Sequence, residues 1–123
     1  MSHSLKRKIL VLDDDKIQHL LMRKKLSLMN IDVDLIFFED VAQALEFIES
    51  TPPDVVISDI NLNKMDGWNF LEMLKNLNYK GSFFFLSSSI FPDDRNRANE
   101  DSFVTDFFEK PIRESDLNYI LTS

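Results

Sequence analysis

The sequence predicts a doubly wound α/β domain, a parallel sheet with helices on both faces, and three observations carry that prediction. Short runs such as Ile9-Leu10-Val11-Leu12 are apolar at consecutive positions, the pattern of strands buried on both faces. Longer segments between them carry apolar residues at helical spacing. Strand and helix alternate along the chain, which implies right-handed crossovers and a parallel sheet.

The elements follow in order. Ile9 to Leu12 is the first strand, ended by Asp13-Asp14-Asp15. A helix over Asp15 to Met29 gathers Ile17, Leu20, Leu21 and Leu28 on the face expected to turn inward, with Arg23, Lys24 and Lys25 outward and His19 on an exposed face. Val33 to Phe38 is the second strand. Asp40 is an N-cap candidate for a helix using Val41, Ala44, Leu45 and Ile48, which stops before Pro52-Pro53. Val55 to Asp59 is the third strand, and a helix runs from about Gly67 through Phe70, Leu71 and Leu74. Phe83 to Leu86 is the fourth strand, a fifth lies within Phe103 to Phe108, and Arg113 to Leu121 closes the chain as a helix. Between the fourth and fifth strands, Asp93 to Asp101 has Ala98 as its only apolar residue. That segment gains little from burial and is expected to be short or mobile. No repeat, low-complexity tract or linker divides the sequence, so 1–123 reads as a single domain, with about residues 1–6 a candidate for a disordered lead.

Composition excludes several function classes. The chain has 123 residues, near the modal domain size, and a core burying roughly two-thirds of the unfolded surface is within reach. Its 14 basic and 21 acidic residues give a net charge of −7, which disfavours direct nucleic-acid binding. With no cysteine there is no disulfide, zinc finger or iron–sulfur site. The two glycines, Gly67 and Gly81, leave no material for either glycine-rich nucleotide loop. No apolar run is long enough to span a membrane, and the first residues lack the apolar stretch of a signal peptide. Together these point to the cytoplasm.

In open parallel sheets, sites form at the carboxyl ends of the strands. The first strand ends in Asp13-Asp14-Asp15, the third in Asp59, the fourth in Ser87-Ser88-Ser89 and the fifth in Glu109-Lys110-Pro111. Carboxylates packed together repel one another and call for a cation. Oxygen ligands without histidine or cysteine point to Mg²⁺ or Ca²⁺. A metal, an ammonium and a hydroxyl form the set that a transferring phosphoryl group needs, and a carboxylate beside the metal can itself attack phosphorus. Asp59, alone at the end of a buried central strand, is well placed for this, although a strand-ending aspartate is as often a turn residue.

These residues, in this order, resemble the receiver domain of two-component response regulators. The resemblance rests on Ile9-Leu10-Val11-Leu12-Asp13-Asp14-Asp15, Val55-Val56-Ile57-Ser58-Asp59-Ile60-Asn61-Leu62 with Met65-Asp66-Gly67, Phe85-Leu86-Ser87-Ser88, and Phe107-Phe108-Glu109-Lys110-Pro111. It implies a flavodoxin-like sheet of strand order 2-1-3-4-5. It also implies that Asp59 accepts a phosphoryl group from a sensor histidine kinase or phosphotransfer protein. Asp13, Asp14, Asp59 and the backbone carbonyl of Asn61 would hold Mg²⁺, with Lys110 and Ser87 on the phosphoryl oxygens. Ser87 and Phe107 would form a switch that controls binding of a downstream protein, whose identity the sequence does not give. Such a protein is an acceptor rather than an enzyme, at most catalysing its own slow phosphorylation and dephosphorylation.

The sequence departs from the family pattern in places. Serine stands at position 87 where many members have threonine, Asn63 replaces a common loop proline, and Phe103-Val104 replaces a small Gly-Ala pair, so packing around the polar helix must differ. Asn61 and Ser89 occupy positions that, in the family, influence phosphoryl lifetime, and Ile90 and Phe91 either pack in the core, the commoner fate of such residues, or offer an apolar patch to a partner. A calcium loop beginning at Asp59 fails, because its sixth position is Lys64 and its twelfth is Phe70. A haloacid-dehalogenase-type phosphatase would place its nucleophile on the first strand and an acidic pair after the lysine, which this sequence lacks. The remaining alternative is a receiver-like interaction module that is never phosphorylated.

Overall fold

The computed structural model describes residues 6–62, 65–88 and 92–122. β1 (Lys8–Leu12), α1 (Lys16–Leu28), β2 (Asp34–Phe38), α2 (Val41–Ser50), β3 (Val55–Ser58), α3 (Gly67–Asn76), β4 (Ser82–Ser87), α4 (Pro92–Glu100), β5 (Asp106–Glu109) and α5 (Glu114–Thr122) alternate along the chain. The strands form one five-stranded sheet in the order β2-β1-β3-β4-β5, and every pairing is parallel. This is the flavodoxin-like order that the resemblance implies. Among the described residues no helix is long and apolar enough to cross a membrane.

Successive strand residues point to opposite faces, so the apolar runs feed two half-cores. On one face Leu10, Leu12, Val56, Phe83 and Phe85 pack against Val41, Ala44 and Ile48 of α2 and Phe70, Leu71 and Leu74 of α3. On the other, Ile9, Val11, Ile57, Phe84 and Leu86 pack against Met22 and Leu26 of α1 and Leu117 and Ile120 of α5. Aspartates start three of the helices. The side chains of Asp15, Asp40 and Asp66 accept from the backbone N–H of Ile17, Ala42 and Asn69, respectively, satisfying donors that a helix start leaves unpaired.

α1 corrects the sequence reading. Ile17, Leu20 and Leu28 are 64, 67 and 74 % exposed, and Leu21 is exposed as well, while the sheet receives Met22 and Leu26. The helix has two apolar stripes, and Lys24 lies within the one expected to face inward. Burying that stripe would have buried an ammonium, which the alternative avoids. Lys25 is not outward either: it is half-buried, and its Nζ donates to the Ile112 carbonyl at 2.8 Å, joining α1 to the approach to α5. His19, expected on an exposed face, is half-buried and stacks on Phe37 with ring centroids 4.2 Å apart.

The polar segment between β4 and β5 does form a helix, nine residues long, with Ala98 alone buried. Where a small pair was absent, Val104 is buried and Phe103 packs toward Phe83 and Tyr79. The expectation for a disordered lead falls, for residues 1–5, outside the described residues, as do those for Asn63, Ser89, Ile90 and Phe91.

Candidate functional site

Parallel pairing brings the ends of β1, β3, β4 and β5 to one rim, and the four strand-end groups meet there. Asp13 follows β1, its N–H held by the Phe38 carbonyl at 3.0 Å, and Asp59 follows β3, its N–H held by the Leu12 carbonyl at 3.0 Å. Ladder hydrogen bonds thus continue one residue past each strand and fix both carboxylates side by side. Asp13 is 1 % exposed, Asp59 7 %, and Asp14 is half-exposed on the rim. Each of these three aspartates offers an oxygen, and the three oxygens lie within 4.8 Å of one another.

Lys110 reaches back from the end of β5. Its Nζ lies 2.7 Å from Asp13 Oδ2 and 2.8 Å from Asp59 Oδ2. Its backbone N–H donates to the Ser87 carbonyl at 2.9 Å, which ties the lysine to the end of β4, where Ser87 is fully buried. The peptide bond from Lys110 to Pro111 is cis. The other carboxylate oxygens are also occupied. Asp13 Oδ1 accepts from the Asp15 N–H at 2.9 Å and Asp59 Oδ1 from the Asn61 N–H at 3.1 Å.

Electrostatics follow from this crowding. Burial raises the Asp13 carboxyl above the ordinary aspartate value, and the neighbouring Asp59 charge adds to that; the hydrogen bond and charge of Lys110 and the N–H of Asp15 only partly offset it. Burial pulls the Lys110 ammonium down, but its hydrogen bonds to Asp13 and Asp59 outweigh this, so its pKa stands above the usual lysine value. The cluster therefore holds more negative than positive charge and is short of a cation. Its donors are all oxygen, a set that suits a hard divalent ion such as Mg²⁺.

Every site residue named from the sequence falls at this rim except Phe107, which sits within β5. That residue is buried, its ring centroid 6.1 Å from Phe85 and 5.4 Å from the Arg95 guanidinium. Three contacts escaped the sequence reading. The Asp15 N–H orients Asp13, and the Ser58 hydroxyl donates to the Asp59 carbonyl at 2.8 Å. Gly67 donates its N–H to the Ile60 carbonyl, and an added Cβ there would run into the Asp59 carbonyl oxygen. A glycine at a helix start, in a chain with only one other, is itself a signal of close backbone approach.

Known proteins share this architecture. The chain is 29% identical over 93 residues to the sensor protein EvgS of Escherichia coli K12, an alignment covering 76% of this chain and 8% of EvgS. A two-component response regulator from Cytophaga hutchinsonii superposes with a TM-score of 0.86 at 21% identity, covering 95% of both chains. The Mn²⁺-bound form of response regulator Rcp1 superposes with a TM-score of 0.75 at 27% identity, covering 94% of this chain and 88% of that one. The response regulator receiver domain family matches residues 9–122. With the fold, the acidic cluster and this match agreeing, the chain belongs to the response regulator receiver domain family of two-component systems.

Proposed function

We propose that Asp59 is the phosphoryl acceptor of a two-component phosphorelay and that its modification switches protein–protein binding. The observation that carries this reading is the Lys110 ammonium bridging Asp13 and Asp59 at 2.7 and 2.8 Å beside a cation-deficient acidic cluster. Asp13, Asp14, Asp59 and the Asn61 carbonyl would hold Mg²⁺, and the similarity to a Mn²⁺-bound form of Rcp1 is in keeping with a divalent ion on this fold. When bound, the metal neutralises charge on the incoming phosphoryl oxygens.

The chain's own groups perform the rest. An Asp59 carboxylate oxygen forms a bond to phosphorus while the bond from phosphorus to a donor histidine nitrogen breaks, and the electron pair leaves with that nitrogen. Lys110 exchanges part of its carboxylate pairing for a phosphoryl oxygen, and the Ser87 hydroxyl donates to another. The Asn61 N–H and the ladder bond at the Asp59 N–H hold the nucleophile in place. The protein acts as acceptor rather than turnover enzyme, with slow self-catalysed phosphorylation and loss of the group. Ser87 and Phe107 relay its arrival to the surface that binds a downstream protein.

The donor is a sensor histidine kinase or phosphotransfer protein working in the cytoplasm. It has a surface to dock on, because α1 begins beside Asp13 and carries exposed Ile17, Leu20, Leu21 and Leu28. Exposed Lys24 lies within that stripe and Lys16 and Arg23 are exposed beside it, on a chain of net charge −7, a set that complements an acidic, apolar donor face.

The test is incubation with Mg²⁺ and acetyl phosphate, then intact mass, with Asp59→Asn in parallel. One phosphoryl adduct on the wild type and none on the variant is the expected result. No adduct from acetyl phosphate or from a histidine kinase would instead favour a module that binds without phosphorylation.

A further inference from the structure

α4 is fastened to the domain with little apolar packing, since only Ala98 is buried. Beside the contact of Arg95 with Phe107 of β5, two of its polar contacts fall on Trp68, in the first turn of α3. The indole Nε1–H donates to Asp94 Oδ1 at 3.1 Å, and the Arg97 guanidinium lies 4.1 Å from the ring centroid. Asp94 and Arg97 are neighbours on one helical face, so a single turn of α4 holds the indole by edge and by face. Farther along, Lys75 Nζ meets Asp101 Oδ2 at 2.7 Å, joining the end of α3 to the residue after α4.

Trp68 is tied to the residues that follow Asp59 through its chain neighbours. It is 5 % exposed and packs 4.6 Å from Phe85, ring to ring. Its neighbour Gly67 donates to the Ile60 carbonyl, and Asn61 and Asp66 form an antiparallel bridge. Asn61 in turn donates to Asp59 Oδ1. One connected path therefore runs from Asp59 through Asn61 and Gly67 to the indole, and from there to α4.

We propose that Trp68 is a positioning residue for the acceptor site: by holding the indole, Asp94 and Arg97 set Gly67 against Ile60 and Asn61 against Asp59, so that displacement of α4 is felt at Asp59 without passing through Phe107. The consequence for phosphoryl lifetime rests on the reading of Asp59 as acceptor, while the link itself is a property of the chain alone. Losing the Asp94 contact leaves a buried indole N–H unpaired, so the held arrangement is favoured over a loosened one. Coupling of this kind is reciprocal for binding. A partner that pulls α4 away changes the affinity of the Asp59 site for a cation, and a cation there changes the partner's affinity by the same factor.

Amide hydrogen exchange on the metal-free full chain tests the link. The variants are Trp68→Phe, which keeps a ring but loses the N–H, Asp94→Leu, the pair of them, and Asp94→Asn, whose amide oxygen still accepts. Each of the first two should speed exchange of the α4 amides and of the Asn61 and Gly67 amides by about 2- to 10-fold, the effect of one lost hydrogen bond. The pair should do no more than the larger single effect, and Asp94→Asn should stay near wild type. Acceleration in α4 with wild-type rates at Asn61 and Gly67 would overturn the proposal, as would no acceleration anywhere. If the β1 and β3 amides also quicken, global stability has been lost, and Arg97→Ala takes the place of that variant. After charging with acetyl phosphate, adduct half-life should change in Trp68→Phe and Asp94→Leu but not in Asp94→Asn. A wild type that takes no phosphoryl group defeats the acceptor reading while the exchange pattern still decides the link. An adduct with uncoupled exchange defeats the link alone.

Discussion

The Lys110 ammonium lies 2.8 Å from Asp59 Oδ2, with 7 and 8 % of the two side chains exposed. The pair is completed by Asp13 on the other side of the same nitrogen at 2.7 Å. One buried cation thus faces two buried anions with a third at the rim, which makes it the group whose loss the pocket tolerates least.

Lys110→Met should therefore destabilise the metal-free domain by about 3 kcal/mol at pH 7, the cost of leaving buried carboxylates unpaired. The loss should shrink as pH falls, because Asp13, whose pKa is raised by burial, takes up a proton and relieves the repulsion. Adding Mg²⁺ should restore part of the stability. Urea unfolding with chelator and with Mg²⁺ measures both effects; an equal deficit at pH 4.5 and pH 7 would count against unpaired charge as the cause.

Asp13→Asn should act in the opposite sense. The folded-state pKa of Asp13 is raised above the ordinary 3.8, so the folded state binds more protons between the two values. Its favourable contribution is complete below 3.8 and is lost as pH rises through the raised value. At pH 7 the charged carboxylate is a net cost, and Asn removes it while Lys110 keeps Asp59. Without metal, the variant should be more stable than wild type at pH 7, and the gain should fade as pH falls through the raised value toward 3.8. Mg²⁺ should stabilise the wild type more than the variant. Urea midpoints across pH, with and without the ion, decide it.

The exposed stripe of α1 predicts a separation between donors. Ile17→Ser with Leu20→Ser removes apolar surface that a protein donor would cover but an acyl phosphate does not touch. Transfer from a cognate histidine kinase or phosphotransfer protein should fall about tenfold or more, the scale of losing one or two interface anchors, while labelling by acetyl phosphate stays at the wild-type rate. Equal loss with both donors would place the damage in the acceptor pocket instead.

Much of this was legible before the structure, and the reasons are local. Strands buried on both faces leave continuous apolar runs, so Val55-Val56-Ile57 and Phe83-Phe84-Phe85-Leu86 were plain, and sheet geometry sends whatever follows them to one rim. The strand order came through resemblance to the receiver family, since apolar runs do not say which strands are neighbours. α1 misled because both of its stripes are apolar, and periodicity alone cannot choose between Leu20 with Leu28 and Met22 with Leu26. The choice was set by Lys24 in one stripe and by the Ile112 carbonyl awaiting Lys25 beside the other. The contacts of Trp68, and the partners that the glycine at 67 approaches, were hidden for a different reason: they join residues from separate elements, which no spacing along the chain encodes.

Gly67 gives the sharpest prediction of that tertiary kind. Its backbone conformation is ordinary, so the argument concerns space alone. A Cβ at this position would overlap the Asp59 carbonyl oxygen and stand 2.9 Å from Ile60 Cα and 3.0 Å from Phe85 Cε1. The nearest two obstacles are backbone and cannot rotate away, so the loop after Asp59 or the start of α3 must move. Helix propensity alone would make Gly67→Ala favourable by roughly 0.5–1 kcal/mol. Overpacking of this severity costs about 1–3 kcal/mol or more, and it should win. The variant should be less stable than wild type, and the displaced loop should weaken the hydrogen bond from the Asn61 N–H to Asp59 Oδ1. Phosphoryl uptake from acetyl phosphate should slow even at temperatures where the domain stays folded. Urea unfolding and the rate of adduct formation measure the two effects separately, and a variant as stable as wild type would show that the approach of Gly67 to the Asp59 carbonyl is looser than the structure has it.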